Sequence, residues 1–254
     1  MITSRTNDRI KGYRGLITKP EAGLVTLEGA RLIEDCAAAG ARFTELFVTP
    51  KGTGWPGYHR IRSAVSASGG IVTEVSQDIL DYMSEVEHPQ GMAAIAEWSP
   101  SAEINPERPV VALDGVQDPG NVGTIIRTAA ALGFGAVMLG GNTARGNSPK
   151  VARASMGAIF RIPVLHVANL SGALEGMKEC GFKLAALDSS GGPLSGFTTD
   201  TAVCLVVGAE AQGISDEVKA VSDVVLSIPM SAGVESLNAS VAAALAMWEL
   251  MRNA

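Results

Sequence analysis

The sequence predicts an α/β protein whose main sheet is largely parallel with helices on both faces, preceded by a smaller α/β domain. Continuous apolar strands, such as residues 110–116 and 202–207, alternate with helical segments, as expected when helices cover both faces of a parallel sheet. Aromatic residues make up only 5% of the 254-residue chain, whereas 29 residues are glycine. This composition favours close-packed α/β layers over an aromatic-rich β-sandwich.

Residues 1–98 predict a small α/β domain of their own. The pattern predicts, in order, a helix over 28–40, a strand over 45–49, a helix over 58–67, and strands over 71–75 and 91–96. Residues 99–108 include Pro100 and Pro106 and few apolar side chains, which predicts an extended linker.

The second domain, residues 109–254, alternates more regularly between strands and helices. Its predicted strands are 110–116, 136–139, 164–167, 183–187, 202–207 and 224–228. Its predicted helices are 121–132, 148–159, 170–180, 215–221 and 236–251. Ligands bind beyond the carboxyl ends of the strands in such a sheet, so polar residues that follow strands are the candidates for a site.

The charge of the chain is unevenly distributed. The formal net charge is −6, which alone argues against a nucleic-acid partner. Residues 1–62, however, carry 10 Lys+Arg and 6 Asp+Glu, whereas residues 63–254 carry 10 and 20. This pattern is typical either of a solvated first helix or of a basic arm on an acidic body. The basic residues of the first 20 positions are Arg5, Arg9, Lys11, Arg14 and Lys19.

Residue counts and spacings disfavour metal, disulfide and membrane classes. Cys36, Cys180 and Cys204 are odd in number, form no CxxC motif and lie among apolar residues, which predicts buried, reduced thiols. The three histidines have no metal-ligand spacing, so we expect no metal. The N-terminus lacks a signal-peptide pattern, and no apolar run reaches the roughly 18 residues of a membrane span. We therefore expect a cytoplasmic protein.

Three segments place polar residues after predicted strands. The first, 114–129, passes from a strand through a Gly/Pro turn into a helix, with Asn121 placed to cap the helix and Arg127 on its second turn. A guanidinium near the amides of a helix start forms an anion site of phosphate size. Arg127 stands in an otherwise apolar run, which favours a binding role over that of an ordinary surface arginine.

The second segment, 205–214, is a buried strand that breaks into a loop around Glu210. Gly208 and Gly213 frame this loop and permit close approach of the backbone to a ligand. Taken alone, Glu210 is equally well explained as a residue at a helix entry.

The third segment, 228–242, joins a strand to an alanine-rich helix through a loop at Pro229 and Gly233. Ser236 is the predicted cap of this helix, with Asn238 in its first turn. Capping does not account for the amide of Asn238, which can bind a substrate or orient a neighbouring side chain.

One glycine pattern supports a different class of enzyme, one that binds a nicotinamide dinucleotide. Residues 52–57 match G-x-G-x-x-G after a strand, and Glu74 ends the next strand, which is the outline of a dinucleotide-binding unit. Trp55 and Pro56, however, put bulk and a missing N–H where backbone amides would approach a pyrophosphate. The pattern therefore argues only weakly for a nicotinamide enzyme.

Together, the three segments resemble the signature of the SpoU, or TrmH, family of RNA 2′-O-ribose methyltransferases. The match comprises N-x-G-x-x-x-R-x-A at 121–129, G-x-E-x-x-G at 208–213, and I-P-M followed by S-L-N-x-S at 228–240. Residues 148–158 also look like the family. The first domain is similar to the family's ribosomal-protein-like substrate-binding domain at 28–32 and 88–91. The resemblance covers nearly the whole chain.

The resemblance implies a C-terminal trefoil knot and a homodimer to which the last helix contributes. It also implies S-adenosyl-L-methionine as the cofactor. The backbone at Gly208, Ile228 and Leu237 would hold the adenine and ribose, with Met230 beside them.

The implied reaction is attack of a ribose 2′-hydroxyl on the sulfonium methyl group. The donor is already activated by its positive charge, so alignment and loss of the hydroxyl proton are the main tasks, and no metal is needed. Arg127 would grip the adjacent phosphate and stabilise the developing alkoxide; a role as proton acceptor stays open. Glu210 would orient this arginine or the cofactor loop, and Asn121, Ser236 and Asn238 would complete the site.

The implied partner is RNA, with ribosomal RNA favoured over transfer RNA because a separate N-terminal domain is present. A non-catalytic RNA-binding module is the alternative that the basic arm and first domain leave open. Salt-sensitive RNA contact is expected at basic residues. They are Arg5, Arg9, Lys11, Arg14, Arg31, Arg145, Lys150 and Arg153.

Overall fold

The computed structural model describes residues 1–86, 89–99, 104–210, 212–231 and 236–252. The contacts divide the chain into two compact units. The first comprises Met1–Ser99 together with Asn147–Arg161, and the second comprises Pro100–Gly146 together with Ile162–Ala254. The sequence-based division instead assigned 147–161 to the second domain. Of the predicted linker, residues 100–103 lie outside the described residues.

Helices and strands alternate along the chain. The helices are α1 (Asp8–Thr18), α2 (Ala30–Ala38), α3 (Pro50–Thr53), α4 (Tyr58–Ala67), α5 (Gln77–Met83), α6 (Pro119–Ala131), α7 (Pro149–Ser155), α8 (Leu170–Glu179), α9 (Asp216–Val221) and α10 (Ala239–Arg252). The strands are β1 (Leu24–Glu28), β2 (Phe43–Val48), β3 (Ile71–Glu74), β4 (Met92–Glu97), β5 (Val110–Asp114), β6 (Ala136–Gly140), β7 (Val164–Val167), β8 (Lys183–Pro193), β9 (Val203–Gly208) and β10 (Val224–Ser227). A 3₁₀ turn spans Ala158–Phe160.

The first unit is built on a four-stranded mixed sheet in the order β1-β4-β2-β3. β4 runs antiparallel to β1 and β2, whereas β2 and β3 are parallel. The helix predicted over 28–40 begins only at Ala30, because Glu28 belongs to β1, which the pattern analysis missed. The helix predicted over 58–67 is confirmed as α4.

A buried carboxylate joins three parts of the first unit. The Glu28 side chain is 1% exposed and forms an ion pair with Arg153 of α7 at 3.3 Å. Glu28 also accepts hydrogen bonds from the backbone N–H of Glu85 at 3.1 Å and from the Tyr13 hydroxyl at 3.4 Å. Burial, followed by the charge of Glu28, raises the pKa of Tyr13. The segment 147–161 is therefore tied to this unit by charge as well as by packing.

The glycine pattern at 52–57 serves packing in this structure. A Cβ atom at Gly57 would lie 2.4 Å from Oε1 of Glu34, so the Glu34 carboxylate lies against the start of α4. A dinucleotide pyrophosphate would place its negative charge at this same helix start, where the carboxylate would repel it. The arrangement argues against a dinucleotide-binding unit here.

The second unit is built on a six-stranded sheet in the order β10-β8-β9-β5-β6-β7. All five neighbouring pairs are parallel, which confirms the prediction of a mainly parallel α/β sheet. Val110, Ala112 and Val206 are fully buried in its core. Asp114 is in register with both Gly140 and Gly208, so β5, β6 and β9 end at one level of the sheet edge.

The cysteines only partly follow the prediction of buried thiols. Burial raises the pKa of the Cys36 thiol and of the Cys204 thiol to about 12, and both are free and buried. Cys180 is exposed, so its predicted burial was wrong. It is the C-cap residue of α8, and the buried side chains of that helix are Leu170, Leu174 and Met177.

Candidate active site

A cleft of about 320 Å³ opens at the carboxyl ends of β9 and β10 and beside the middle of β8 in the second unit. It brings together residues from four separate stretches of the chain. The predicted cofactor positions Gly208, Ile228, Met230 and Leu237 all line it. The other lining residues are Leu187, Asp188, Ser189, Val207, Ala209, Glu210, Gln212, Gly213, Ser236, Ala239 and Ala242.

Glu210 is held at this cleft by a relay of two side-chain amides. Nδ2 of Asn121 donates a short hydrogen bond to Oε1 of Glu210. Nδ2 of Asn238 donates in turn to Oδ1 of Asn121 at 3.0 Å. Three predicted site residues, separated by up to 117 positions in the chain, are thus directly linked.

Two helix caps explain why these amides are available. The side chain of Asp118 caps α6 by accepting from the backbone N–H of Asn121 at 2.8 Å, so the predicted capping by Asn121 was wrong. Oδ1 of Asn238 accepts from the N–H of Ser240 at 3.0 Å, at the start of α10. Ser236 therefore does not cap this helix as predicted; it lines the cleft. Asn238 uses its oxygen for capping and its NH₂ group for the relay.

The loop after β9 requires both of its framing glycines. The N–H of Ala209 and the C=O of Gly213 bond at 3.1 Å, and the N–H of Gly213 returns to the C=O of Ala209 at 2.9 Å. A Cβ atom at Gly208 would lie 2.2 Å from the carbonyl carbon of Gly213, which itself has φ +67°. The tight loop presents Glu210 to the cleft; Ala211 lies outside the described residues, as do residues 232–235 of the third segment.

Asp188 is a cleft residue that the sequence analysis missed. Its Oδ2 pairs with Nζ of Lys219 at 2.7 Å, and its Oδ1 accepts from the N–H of Ser190 at 3.0 Å and from the Ser190 hydroxyl at 2.6 Å. The Lys219 hydrogen bond, followed by those from Ser190, lowers the pKa of Asp188 to about 2. The same pairing raises the pKa of Lys219. Asp188 directly follows the apolar run of β8. A polar residue at such a position is a candidate site residue, and this could have identified it from the sequence.

A second missed group shapes the turn between β5 and α6. Oδ2 of Asp114 accepts from both the N–H and the hydroxyl of Ser215 at 2.8 Å. The buried hydroxyl of Thr143 accepts from the N–H of Gly115 at 3.1 Å and donates to the C=O of Leu113 at 3.0 Å. These bonds fix the backbone that leads to Asn121.

Arg127 is an exposed residue of α6 and is not among those that line the cleft. It lies six positions after Asn121, which places it roughly 120° away around the helix axis. Within the part of the chain that the structure describes, it has no ion-pair partner. The predicted orientation of Arg127 by Glu210 stays a prediction, because the described contact of Glu210 is with Asn121.

Most of the predicted RNA-binding cations already have partners. Arg9 pairs with Glu45 at 3.3 Å, Lys11 with Asp8 at 3.8 Å, and Arg31 with Asp35 at 3.3 Å. The guanidinium groups of Arg5 and Arg14 lie over the Tyr82 ring at 4.8 and 4.6 Å. Arg153 bonds to Glu28, whereas Arg145 and Lys150 are exposed.

Neither a metal cluster nor a membrane helix is found where the structure describes the chain. In those residues, no three His, Cys, Asp or Glu side chains are grouped as metal binding would require. Among the described helices, none has the length and apolar character needed to cross a membrane.

Comparison with known proteins identifies the family. The model of the SpoU rRNA Methylase family matches residues 108–248. The chain belongs to the SpoU rRNA methylase family. A second model, for the MRM3-like substrate binding domain, matches residues 7–94. His88, part of the resemblance in the first domain, lies outside the described residues.

Relatives of this SpoU chain are similar along nearly its whole length. The 23S rRNA (guanosine(2553)-2′-O)-methyltransferase RlmP of Bacillus subtilis is 33% identical over 98% of both chains. The AdoMet-bound rRNA methyltransferase from Sinorhizobium meliloti superposes with a TM-score of 0.88 at 28% identity, covering 99% of this chain and 97% of the other. The SpoU methyltransferase AviRb from Streptomyces viridochromogenes, at 24% identity and a TM-score of 0.83 over 97% and 98% of the chains, shares the fold.

Proposed function

We propose that the protein methylates a ribose 2′-hydroxyl in RNA, with S-adenosyl-L-methionine as methyl donor and ribosomal RNA as the substrate. The observation that carries this proposal is the cleft, where Gly208, Ile228 and Leu237 meet Glu210 with its amide relay. The activity of the similar RlmP protein supports both the reaction and the choice of ribosomal RNA.

The cleft residues fit the cofactor in size and in chemistry. Its volume of about 320 Å³ lies within the range of small-molecule sites. Ile228, Met230 and Leu237 supply an apolar surface for an adenine ring, and backbone groups of the loop around Gly208 supply polar contacts. Bound S-adenosyl-L-methionine would contribute a methyl group already activated by the positive charge of its sulfonium.

We assign Glu210 to positioning rather than to proton transfer. Its Oε1 is already engaged by Asn121, which fixes the carboxylate beside the cleft. Asn238 fixes the orientation of Asn121, and Ser236 lies at the same rim. Side chains held in one geometry before the substrate arrives lose little entropy in the reaction, which favours alignment of the two reacting groups.

Arg127 is the residue that we assign to the RNA backbone. Its guanidinium is exposed, so it can hold the phosphate next to the target ribose and stabilise the developing alkoxide. A guanidinium is in general a poor base. The hydroxyl proton then has to pass to another acceptor or to solvent.

We propose that the protein is a homodimer that joins through α10. Val241, Leu245 and Trp248 recur at helical spacing and are 48%, 47% and 59% exposed, which leaves an apolar stripe on this helix. The opposite side of α10 packs on α6, the helix that carries Asn121 and Arg127. A dimer would therefore bring a partner close to the proposed active site.

Three further assignments complete the proposal. We propose that the chain between β8 and α10 forms a trefoil knot, supported by the sheet order in which β9 lies between β8 and β5. We propose that the first unit binds the RNA substrate, supported by the match to a substrate-binding domain. Because the proposed substrate is ribosomal RNA, we also propose a cytoplasmic location.

Methyl transfer from labelled S-adenosyl-L-methionine to ribosomal RNA tests the function. The 23S RNA of a strain lacking the gene is the substrate, and mapping of 2′-O-methyl groups identifies the nucleotide. Calorimetry measures cofactor binding independently. Saturable cofactor binding with one methylated ribose supports the proposal. RNA binding without cofactor binding would establish a non-catalytic module, and methylation of transfer RNA alone would correct the substrate.

A further inference from the structure

The first unit contains a second cavity, of about 260 Å³, that the proposed methyl-transfer chemistry does not use. It is lined by Lys51, Gly54, Trp55, Pro56, Pro89 and Gln90. Its volume is below that of typical drug-sized sites and is compatible with a single ring system. We propose that this cavity binds one unpaired nucleotide of the RNA substrate by stacking on Trp55. This inference rests on the proposed function.

The Trp55 ring is fixed in place by a hydrogen bond from its indole nitrogen. Its Nε1 donates to Oε2 of Glu34 at 2.9 Å, and Arg60 donates to Oε1 of the same carboxylate. These bonds, that of Arg60 first, lower the pKa of Glu34. The carboxylate is therefore charged at neutral pH and holds the indole N–H. The polar atom of Trp55 is satisfied within the protein, which leaves the ring itself for an apolar, planar ligand.

The backbone next to the cavity lining is also fixed. Gly52 in α3 packs directly on Gly91, since a Cβ atom at Gly52 would lie 2.2 Å from the C=O oxygen of Gly91. The N–H of Thr49 donates to that same oxygen at 3.0 Å. Pro56 and Pro89, which line the cavity, have restricted backbones. A preformed platform of this kind binds with little ordering cost.

Charge at this cavity favours RNA over a peptide. Residues 50–62 contain Lys51, Arg60 and Arg62 and no Asp or Glu, although the charge of Arg60 is paired with Glu34 of α2. Lys51 lines the cavity and, among the residues described, forms no ion pair. A cation beside an aromatic ring suits a nucleotide, because the base stacks while the phosphate meets the charge. A proline-rich peptide would use the aromatic wall and would gain nothing from this cation.

Photo-crosslinking of the wild-type protein gives a test that requires no variant. The probe is a 12-nucleotide single-stranded RNA that contains 5-bromouridine. Crosslinked protein is digested with trypsin, which releases residues 52–60 as one peptide between Lys51 and Arg60. We expect the nucleotide on Trp55 of this peptide. Crosslinks confined to other peptides would overturn the proposal.

Binding of the same RNA to variants gives the second test. We expect Trp55→Leu to weaken RNA affinity by about 5- to 30-fold and Trp55→Phe to retain most of it, because a stacking ring is kept. Lys51→Gln should reduce the salt dependence of binding by about one phosphate contact. Tyr58→Leu, an aromatic change in α4 outside the cavity lining, is the matched control. Equal affinities for Trp55→Leu and Tyr58→Leu would contradict the stacking role.

Two further measurements separate this inference from the proposed function. Uridine monophosphate should bind at least 10-fold more weakly than the 12-mer, and equal affinity would assign the cavity to a free nucleotide instead. Calorimetric cofactor affinity should be the same for wild type and Trp55→Leu. Loss of cofactor binding in the wild type would refute the proposed function while leaving the crosslink at Trp55 interpretable.

Discussion

The side-chain amide of Asn238 donates a 3.0 Å hydrogen bond to Oδ1 of Asn121, and Nδ2 of Asn121 donates in turn to Oε1 of Glu210. This links the start of α10 to the first turn of α6 and to the loop after β9. Because each amide has a distinct donor and acceptor end, the relay has one orientation only. Glu210 is the acceptor at the end of the relay.

Asn121→Asp should break the relay at its centre, because it removes the NH₂ group that donates to Glu210. Its carboxylate would face Glu210 without a donor, and like charges at hydrogen-bond distance repel. We expect methyl transfer to fall at least 10-fold, with a smaller change in cofactor affinity. Glu210→Gln, which retains an acceptor oxygen, should lose less activity than Glu210→Ala. Equal activity of Asn121→Asp and wild type would show that the relay does not position the site.

Arg127→Ala should abolish methyl transfer and leave cofactor binding nearly intact. The side chain is exposed and lies outside the cleft lining, so its removal neither opens the core nor changes the cofactor surface. Arg127→Lys should recover little activity, because a lysine lacks the bidentate fork that suits a phosphate. Calorimetry with S-adenosyl-L-methionine provides the readout; a large loss of cofactor affinity would mean that the residue is wrongly assigned.

Leu245→Glu should convert the proposed homodimer into monomers. Leu245 lies at the centre of the exposed stripe on α10, and a charge there would be buried by association. Analytical ultracentrifugation measures the change. Ile71→Glu, at another apolar residue that is 49% exposed, is the control and should leave the dimer intact. Dimers that persist in Leu245→Glu would place the interface elsewhere.

Arg153→Met should destabilise the fold by about 3 kcal/mol, because it leaves the buried Glu28 carboxylate without its cation. Thermal unfolding measures this loss. Arg31→Met breaks the exposed pair with Asp35 and should change stability by less than about 1 kcal/mol. If both variants unfold at the wild-type temperature, Arg153 is free to serve RNA binding as the sequence predicted.

Stability should depend on pH through His166. Its Nε2 accepts from the N–H of Gly146 at 3.0 Å, and burial, with a smaller contribution from Arg145, lowers its pKa. The unfolded chain therefore takes up this proton first as the pH falls below about 6.5, so stability from this group is complete above that pH and declines below it. His166→Gln keeps an acceptor for Gly146, and its melting temperature should fall less between pH 7 and pH 5.5.

Much of the second unit could be predicted from its pattern. The strands are continuous apolar runs, and the rule that ligands lie beyond their carboxyl ends pointed to Glu210 and to the loop after Ile228. The same rule applied to Asp188 would have found it, because it directly follows the strand predicted over 183–187. The helix caps were misassigned, since Asp118 and Asn121 are both good caps and only the backbone angles decide between them.

The rest depended on contacts distant in sequence. The local sequence around Arg153 predicts a surface cation, and only folding brings it to Glu28, 125 residues away. The dual use of Asn238, as a cap and as a donor to Asn121, likewise cannot be read from local spacing. In the first unit, β1 was missed because Glu28 and Gly29 look like a helix start, although the strand extends through Glu28.

Because residues 147–161 belong to the first unit, that unit is assembled from two separate stretches of the chain, which cannot be exchanged independently. A fragment that stops at Ser99 would leave behind Arg153, and also the C=O of Ile159 to which Trp98 donates its indole N–H at 3.3 Å. Domain exchange between relatives by one crossover near residue 99 would therefore mix a carboxylate from one parent with a guanidinium from another. A functional chimera needs three junctions, near residues 99, 146 and 161.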